Sequence, residues 1–439
     1  MSKAVEHHDV VVIGGGFAGL IAARELSAAG REVLVLEARD RLGGRVWTAP
    51  RLGRQLELGG TWLHWTQPHT WSEVSRYGMT LVRSPLAAEM YWLDNDDLVH
   101  RVNAKEFDEL IAPGQERIAT LAPSVFPRAD QPLDSETASE FDHLTLQNAI
   151  DSLDLPVDEK QLNEAVWAVR VNAPLDRVSL ASALRWAAAS GASWTLMREA
   201  SSAFKLREGM SAFIEAIEAN TTRLGADIRR SSPVASINWS ETGVTLETAA
   251  TVIEARHVIS TVPLSALSEI KITPALGGGA GRMADEGTGN RGIKVWMRVR
   301  GRVIPFGAYS SQHHPLTCVR SEFFGEDESV LVGFGADHTK FDLDNGIAEA
   351  QRALNVWRDD LEVLEVVGHD WMSDPYAQTT WQVTAPDQLT RDFADVSHPR
   401  GRLHLAGSDT AQLWGGFIDG AIESGFRAVR SVAAADDAD

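Results

Sequence analysis

The chain has a single cysteine, Cys318, among its 439 residues. That excludes an intramolecular disulfide, a cysteine-built metal cluster and a CxxC redox pair. A basic excess is also missing: 41 Lys and Arg stand against 61 Asp and Glu, a formal charge of −20. Such a chain has no electrostatic footprint for nucleic acid or for an anionic membrane surface. No apolar run reaches about 18 residues, the length of a spanning helix. The polar opening "MSKAVEHHDVVVI" passes into a strand pattern with no secretory leader. These absences point to a cytoplasmic protein without nucleic-acid or membrane partners, and they leave the glycosylation-like triplets at Asn220 and Asn238 idle. HExxH, GxSxG and P-loop motifs are absent too. The pairs His7–His8 and His313–His314 lack partners at metal-ligand spacing, read as surface loops, and no metal is expected.

What is present begins at residue 9. "DVVVI" is a β-branched run suited to a strand buried on both faces of a parallel sheet. "FAGLIAARELSAAG" (17–30) spaces Phe17, Leu20, Ile21 and Leu26 as a helix does and stops at Gly30, a plausible C-cap. "EVLVLE" (32–37) is a second buried strand. Between the first strand and the helix lies "IGGGFAGL", in which Gly14, Gly16 and Gly19 fit GxGxxG in the required context. Gly14 permits the turn, Gly16 lets backbone approach a pyrophosphate, and Gly19 lets helix and strand pack closely. The helix N-terminus adds partial positive charge. Glu37 follows Gly19 by 18 residues, at the end of the second strand, where it can accept from a ribose hydroxyl. Together these predict a bound dinucleotide.

The following text separates FAD from NAD. "EARDRLGGR" adds Gly43, Gly44 and Arg45, and "LELGGTWLH" adds Gly59, Gly60, Thr61 and Trp62. An extended FAD needs backbone contact along its whole length, and an arginine would offset pyrophosphate charge. Further on, residues 112–140 are rich in Pro, Ser and acids and read as loops between short helices. Residues 141–220 read as mostly helical, with Leu162, Val166 and Val169 recurring at helical intervals. Strand patterns start near 226, "GGGAG" (277–281) reads as a flexible break, and "IKVWMRVRG" (293–301) as a strand. The last forty residues return to α/β text, with "RLHLAG" as a strand and a helix from about 417 to 434.

"DVVVIGGGFAGLIAARELSAAGREVLVLEARDRLGGRVWT" together with "GRLHLAGSDTAQLWGGFIDGAIESGFRAV" resembles the flavin-containing amine oxidases, the family of the monoamine oxidases. Looser likeness appears at "GIKVWMRVRG" and "HDWMSDP", and the tone is nearest to the bacterial hydroxynicotine oxidases. The fold this implies is α/β: a discontinuous Rossmann-like FAD-binding domain (1–68, 205–275 and 400–439) with an interleaved α+β substrate-binding domain (69–204 and 276–399). The activity it implies is oxidation of a small amine by hydride transfer to flavin N5, with hydrolysis of the imine or iminium product and reduction of O₂ to H₂O₂. A dehydrogenase or desaturase using another acceptor, and a non-catalytic flavoprotein, stand as alternatives. A homodimer is an assembly to test.

The resemblance also assigns roles. On the cofactor it places Ala18, Arg39, Gly44, Arg45, Gly60, Thr61, Trp62, Val234, Gly416, Phe417 and Ile418 beside Gly14, Gly16, Gly19 and Glu37. Asp409 stands where the family commonly has Glu and would hold a sugar hydroxyl of FAD. Gly415 and Gly416 precede a helix whose N-terminus would stabilise negative charge at the pyrimidine edge of the flavin. Lys294 resembles the lysine that holds a water against N5, although an alternating strand would turn such a residue to solvent. Trp381 and Phe417 match the paired aromatics that flank the amine, with Trp414 and His64 as further substrate contacts. Among 14 Trp any one is more often core, and His64 reads equally as a core histidine. Thr380 stands where animal monoamine oxidases attach FAD through cysteine, so the FAD is expected to be non-covalent.

Overall fold

The computed structural model describes residues 3–437. An eight-stranded sheet runs in the order Lys271–Thr273, Val234–Trp239, Val244–Thr248, Thr251–Ser260, Ala4–Ile13, Val33–Leu36, Asp227–Arg229, with Leu403–Leu405 also paired to Thr251–Ser260. Its centre is parallel: Ile13 lies opposite Ser260 on one side and Leu36 on the other. The run Val10–Ile13 is buried on both faces, and the alternation decides what covers each. Val10 and Val12 pack with Ala22, Leu26, Ala428 and Val432 from helices Phe17–Ala28 and Ile418–Asp437. Val11 and Ile13 pack with Ile237, Leu246 and Leu403 on the opposite side. Gly30, just beyond the first helix, takes φ +82°, the left-handed conformation a terminating glycine supplies.

A second sheet of seven strands is mostly antiparallel, in the order Val363–Gly368, Ile293–Arg300, Glu328–Gly335, Cys318–Phe324, Phe306–Tyr309, Glu89–Leu93, Val99–Asn103. One face is covered by helix Gly346–Asn355 through Ala350, Ala353 and Leu354. The other presents Trp296, Val332 and Phe334 to Leu56, Leu58 and Trp62 of the segment that follows the dinucleotide turn. Helices Ala104–Ala119, Val157–Val171 and Leu180–Ala189 build a third body of core around Trp167 and Trp186.

Three local readings are corrected. Of the stretch 112–140, the short helices Ala122–Val125, Pro132–Asp134 and Ala138–Asp142 separated by loops are as read, but residues 112–119 continue the helix Ala104–Ala119 through Pro113. A capping box between Asn103 and Glu106 starts it, and Phe107, Ile111, Gln115 and Ile118 bury one stripe, which outweighs the hydrogen bond lost at proline. The glycine run opens helix Gly278–Glu286, not a break. A side chain at Gly279 would collide with the backbone of Asp392, so the glycine serves close packing. His7 and His8 belong to the strand Ala4–Ile13 rather than to a loop, whereas His313–His314 lie in a turn. No helix among the described residues is long and apolar enough to cross a membrane.

Candidate active site

A cavity of about 1060 Å³ runs from the dinucleotide turn to the face of the seven-stranded sheet. At its first end the carboxylate of Glu37, 3% exposed, is fixed by the backbone it helps to shape. Oε2 accepts the Gly15 N–H at 2.7 Å and Oε1 accepts the Arg39 N–H at 2.8 Å. Helix Phe17–Ala28 can start here because Gly19 has no side chain: a Cβ would overlap the Gly14 carbonyl oxygen. Gly16 and Gly44 face each other, a Cβ on Gly44 falling 3.6 Å from the Gly16 Cα, so two backbone loops leave a gap without side chains. Val234 closes this end. A glycine-walled gap at a helix N-terminus, over a fixed carboxylate, fits the pyrophosphate and ribose of a dinucleotide.

Arg45 lies midway. Its Nη2 donates to Asp409 Oδ1 at 2.7 Å and to Ser408 Oγ at 3.0 Å, and Nη1 donates to the Thr380 carbonyl at 3.0 Å. Asp409 does not line the cavity: its second oxygen accepts the Leu264 N–H at 3.2 Å. The side chain therefore orients Arg45 and a loop, and the direct sugar contact expected of it is not part of the wall. Arg39 is anchored to Asp374 at 2.6 Å. Burial pushes the Asp374 carboxyl up, but hydrogen bonds from His369 and Arg39 hold it well below the usual carboxylate range.

The third stretch holds Lys294. It is 6% exposed, so the alternating-strand reading in which it faces solvent does not apply. Nζ donates to the Glu57 and Gly59 carbonyls at 2.7 and 3.0 Å and to Thr61 Oγ1 at 2.6 Å. Burial drives its pKa from 10.5 to about 7, against the favourable charge of Glu57. The three acceptors match the three donors of an ammonium, while burial disfavours that charged form. Gly60, Thr61 and Trp62 line the cavity beside it.

At the last stretch Trp381 and Phe417 share the wall. Gly416 makes this possible: at φ +81° it lies so close to the loop that carries Trp381 that a Cβ would stand 2.7 Å from the Gln382 carbonyl. The turn is pinned from behind by Trp186 Nε1, donating to the Gly415 carbonyl at 2.9 Å, and by Arg185, donating to Ala411 and Gln412. Phe417 meets Trp186 and Trp414 edge-on at 5.3 and 5.1 Å. Trp414, 1% exposed, is behind the wall and not in it: the tight turn points the bulkier ring into the core. His64 is likewise displaced from its expected substrate contact. Fully buried, it uses Nδ1 on Thr66 and stays outside the cavity wall.

Of the candidate residues, all those assigned to the cofactor except Gly19 and Asp409 line this one cavity, as do Lys294 and Trp381. Comparison with known proteins gives the same picture over the whole chain. Residues 17–433 match the family model described as flavin-containing amine oxidoreductase. The chain belongs to that family. Pseudooxynicotine dehydrogenase of a Pseudomonas species is 33% identical over 425 residues, 95% of this chain and 84% of that one. (S)-6-hydroxynicotine oxidase of Paenarthrobacter nicotinovorans is 30% identical over 444 residues, covering 97% and 99%. The structure of putrescine oxidase bound to putrescine superposes with a TM-score of 0.83 at 23% identity, covering 98% and 100%. The similarity to a hydroxynicotine oxidase and the α/β amine-oxidase fold are thus both borne out. The protein is an FAD-containing oxidoreductase that acts on amine donors.

Within this amine oxidoreductase the cavity also contains residues that no motif announces. Arg170, Tyr309 and Cys318 line the chamber beyond Trp381, drawn from a helix and two strands far apart in the chain. Cys318, distant from every motif in the sequence, is here a wall residue. Burial lifts its thiol to about 11, which keeps it protonated and inert at neutral pH.

Proposed function

We propose that the protein oxidises the carbon–nitrogen bond of a small amine, yielding an imine or iminium that hydrolyses, with O₂ as electron acceptor and H₂O₂ as by-product. What supports this reading is the continuity of one cavity from the Gly14–Glu37 end to the Lys294–Trp381–Phe417 end. FAD, when bound, supplies the two-electron acceptor for the substrate hydride. Gly14, Gly16, Gly44 and Glu37 would hold its dinucleotide half, and Gly60, Thr61, Gly416 and Ile418 its flavin half. Trp381 and Phe417 orient the amine and keep water from it, a contribution of position rather than of a strong base. Lys294 holds or releases a proton at Nζ beside Thr61. Non-covalent attachment is part of the proposal, supported by Thr380 in place of cysteine and by the protonated state of Cys318.

Two relatives at 33% identity, a pseudooxynicotine dehydrogenase and a nicotine dehydrogenase, are named dehydrogenases, which favours a second reading in which another acceptor replaces O₂. The two are separated by mixing the reduced holoenzyme with O₂ or with an electron-accepting dye and following flavin reoxidation. Rapid reoxidation by O₂ with stoichiometric peroxide supports the oxidase. Reoxidation by the dye alone assigns the dehydrogenase. Acid precipitation that carries the yellow colour down with the protein would rule out non-covalent FAD. The cytoplasm as compartment and the homodimer as assembly belong to the same proposal and are checked by fractionation and light scattering.

A further inference from the structure

The chamber beyond Trp381 has an unbalanced charge. Arg170 sits in the last turn of helix Val157–Val171, which Asn172 ends at φ +52°. Its Nη1 donates to Gln115 Oε1 at 2.8 Å, and its guanidinium lies 4.7 Å from the Trp167 ring. Among the described residues no carboxylate lies within ion-pair distance of it, and the charge that acts on it at neutral pH is that of another cation, Arg198, because burial keeps the Tyr309 phenol protonated. The acids of the chamber are already engaged. Asp108 is held bidentately by Arg198, and Glu199 lies 3.4 Å from Arg83. Glu322, the acid nearest Arg320, also takes Lys205 and Ser84. Burial lowers Arg170 only to about 10, so it remains a cation at neutral pH.

We propose that Arg170 anchors an anionic group on the substrate, so that the amine this enzyme oxidises carries a carboxylate and is not a diamine. Arg170 lines the cavity with one N–H engaged by Gln115, and a planar guanidinium matches a carboxylate in two parallel hydrogen bonds. An uncompensated buried cation is costly, and a substrate anion relieves that cost on binding. A second ammonium would instead meet the uncompensated Arg170. The anchor is also correctly connected: Trp381 Nε1 donates to the Arg170 carbonyl at 3.1 Å, so the residue that flanks the amine touches the residue that holds the acid. Val166 and Val169, from the same helix, also line the cavity and suit a short apolar linker.

This inference rests on the amine-oxidising reading, and the experiment keeps the two apart. The holoenzyme is reduced anaerobically, below saturation, by aminoalkanoates, by alkylamines and by α,ω-diamines of equal chain length. Aminoalkanoates should reduce the flavin about tenfold or more faster than alkylamines, with diamines slowest. Arg170→Met should bring the aminoalkanoate-to-alkylamine ratio to about one, and Arg170→Lys should restore part of it. Diamines or alkylamines reacting fastest with the unaltered enzyme, or an unchanged ratio in Arg170→Met, would overturn the proposal. If no amine reduces the flavin, the amine-oxidising reading fails, and the anchor is judged by titrating butanoate and benzoate against the flavin spectrum. Arg170→Met, matched for flavin content and Tm, should weaken that binding about tenfold. Equal binding, or none to the unaltered enzyme, sinks the anchor. Arg170→Gln serves if the methionine variant does not retain flavin.

Discussion

The two ends of the cavity are built on different principles. The dinucleotide end is made of backbone: glycines keep side chains out of the way, and Glu37 is fixed by the backbone N–H groups of Gly15 and Arg39, within one strand–helix–strand unit. The amine end is made of side chains. Lys294, Arg170, Trp381 and Phe417 arrive from a strand, a helix, a loop and a turn, and each is held by partners distant in sequence. Backbone recognition serves any molecule with the same phosphate and ribose, whereas side-chain recognition selects among amines.

Four changes test that contrast. The largest effect is expected from Gly19→Val, whose branched side chain has no space beneath the Gly14 carbonyl. It should abolish flavin content, read from the visible spectrum; a fully yellow variant would remove close packing as the reason for this glycine. Lys294→Met should slow flavin reduction or reoxidation by about 10²-fold while leaving FAD bound. An inflection near pH 7 in the same rate should vanish with it. Stability carries the corresponding sign. The folded pKa lies below 10.5, so the unfolded chain binds more protons between about 7 and 10.5. Lys294 therefore makes stability rise with pH across that window, and the variant's stability curve should be flatter there. Trp381→Ala should lower turnover by about tenfold or more with Tm little changed, since the ring is only half-buried. A loss confined to Tm would return the residue to the core. The smallest effect is expected from Glu37→Gln, which keeps an acceptor for one N–H and should weaken FAD retention about tenfold. Flavin content equal to that of the unaltered protein after dialysis would end its ribose role.

The same contrast explains what could be read in advance. The glycine turn, both strands around it and Glu37 lie within 30 residues, and local geometry alone constrains them. The composition of residues 112–119 suggests loop, but the buried stripe from Phe107 to Ile118 makes them helix through Pro113. Trp414 and His64 were misplaced because motif likeness fixes chain position, not the direction in which a side chain leaves a turn. Arg170 carried no signal: an arginine near a helix end is ordinary until Asp108 and Glu199 are seen to be engaged elsewhere.

The amino-acid sequence by itself determined the parallel core, the glycine-walled dinucleotide gap and the family, because short-range sterics and hydrophobic periodicity act between near neighbours. Only the tertiary structure decided which charges are compensated. A strand lysine became a buried group poised near neutrality, and a helix-end arginine became a cation with no carboxylate partner among the described residues. Desolvation and ion pairing depend on groups brought together from across the chain, and no local pattern encodes them.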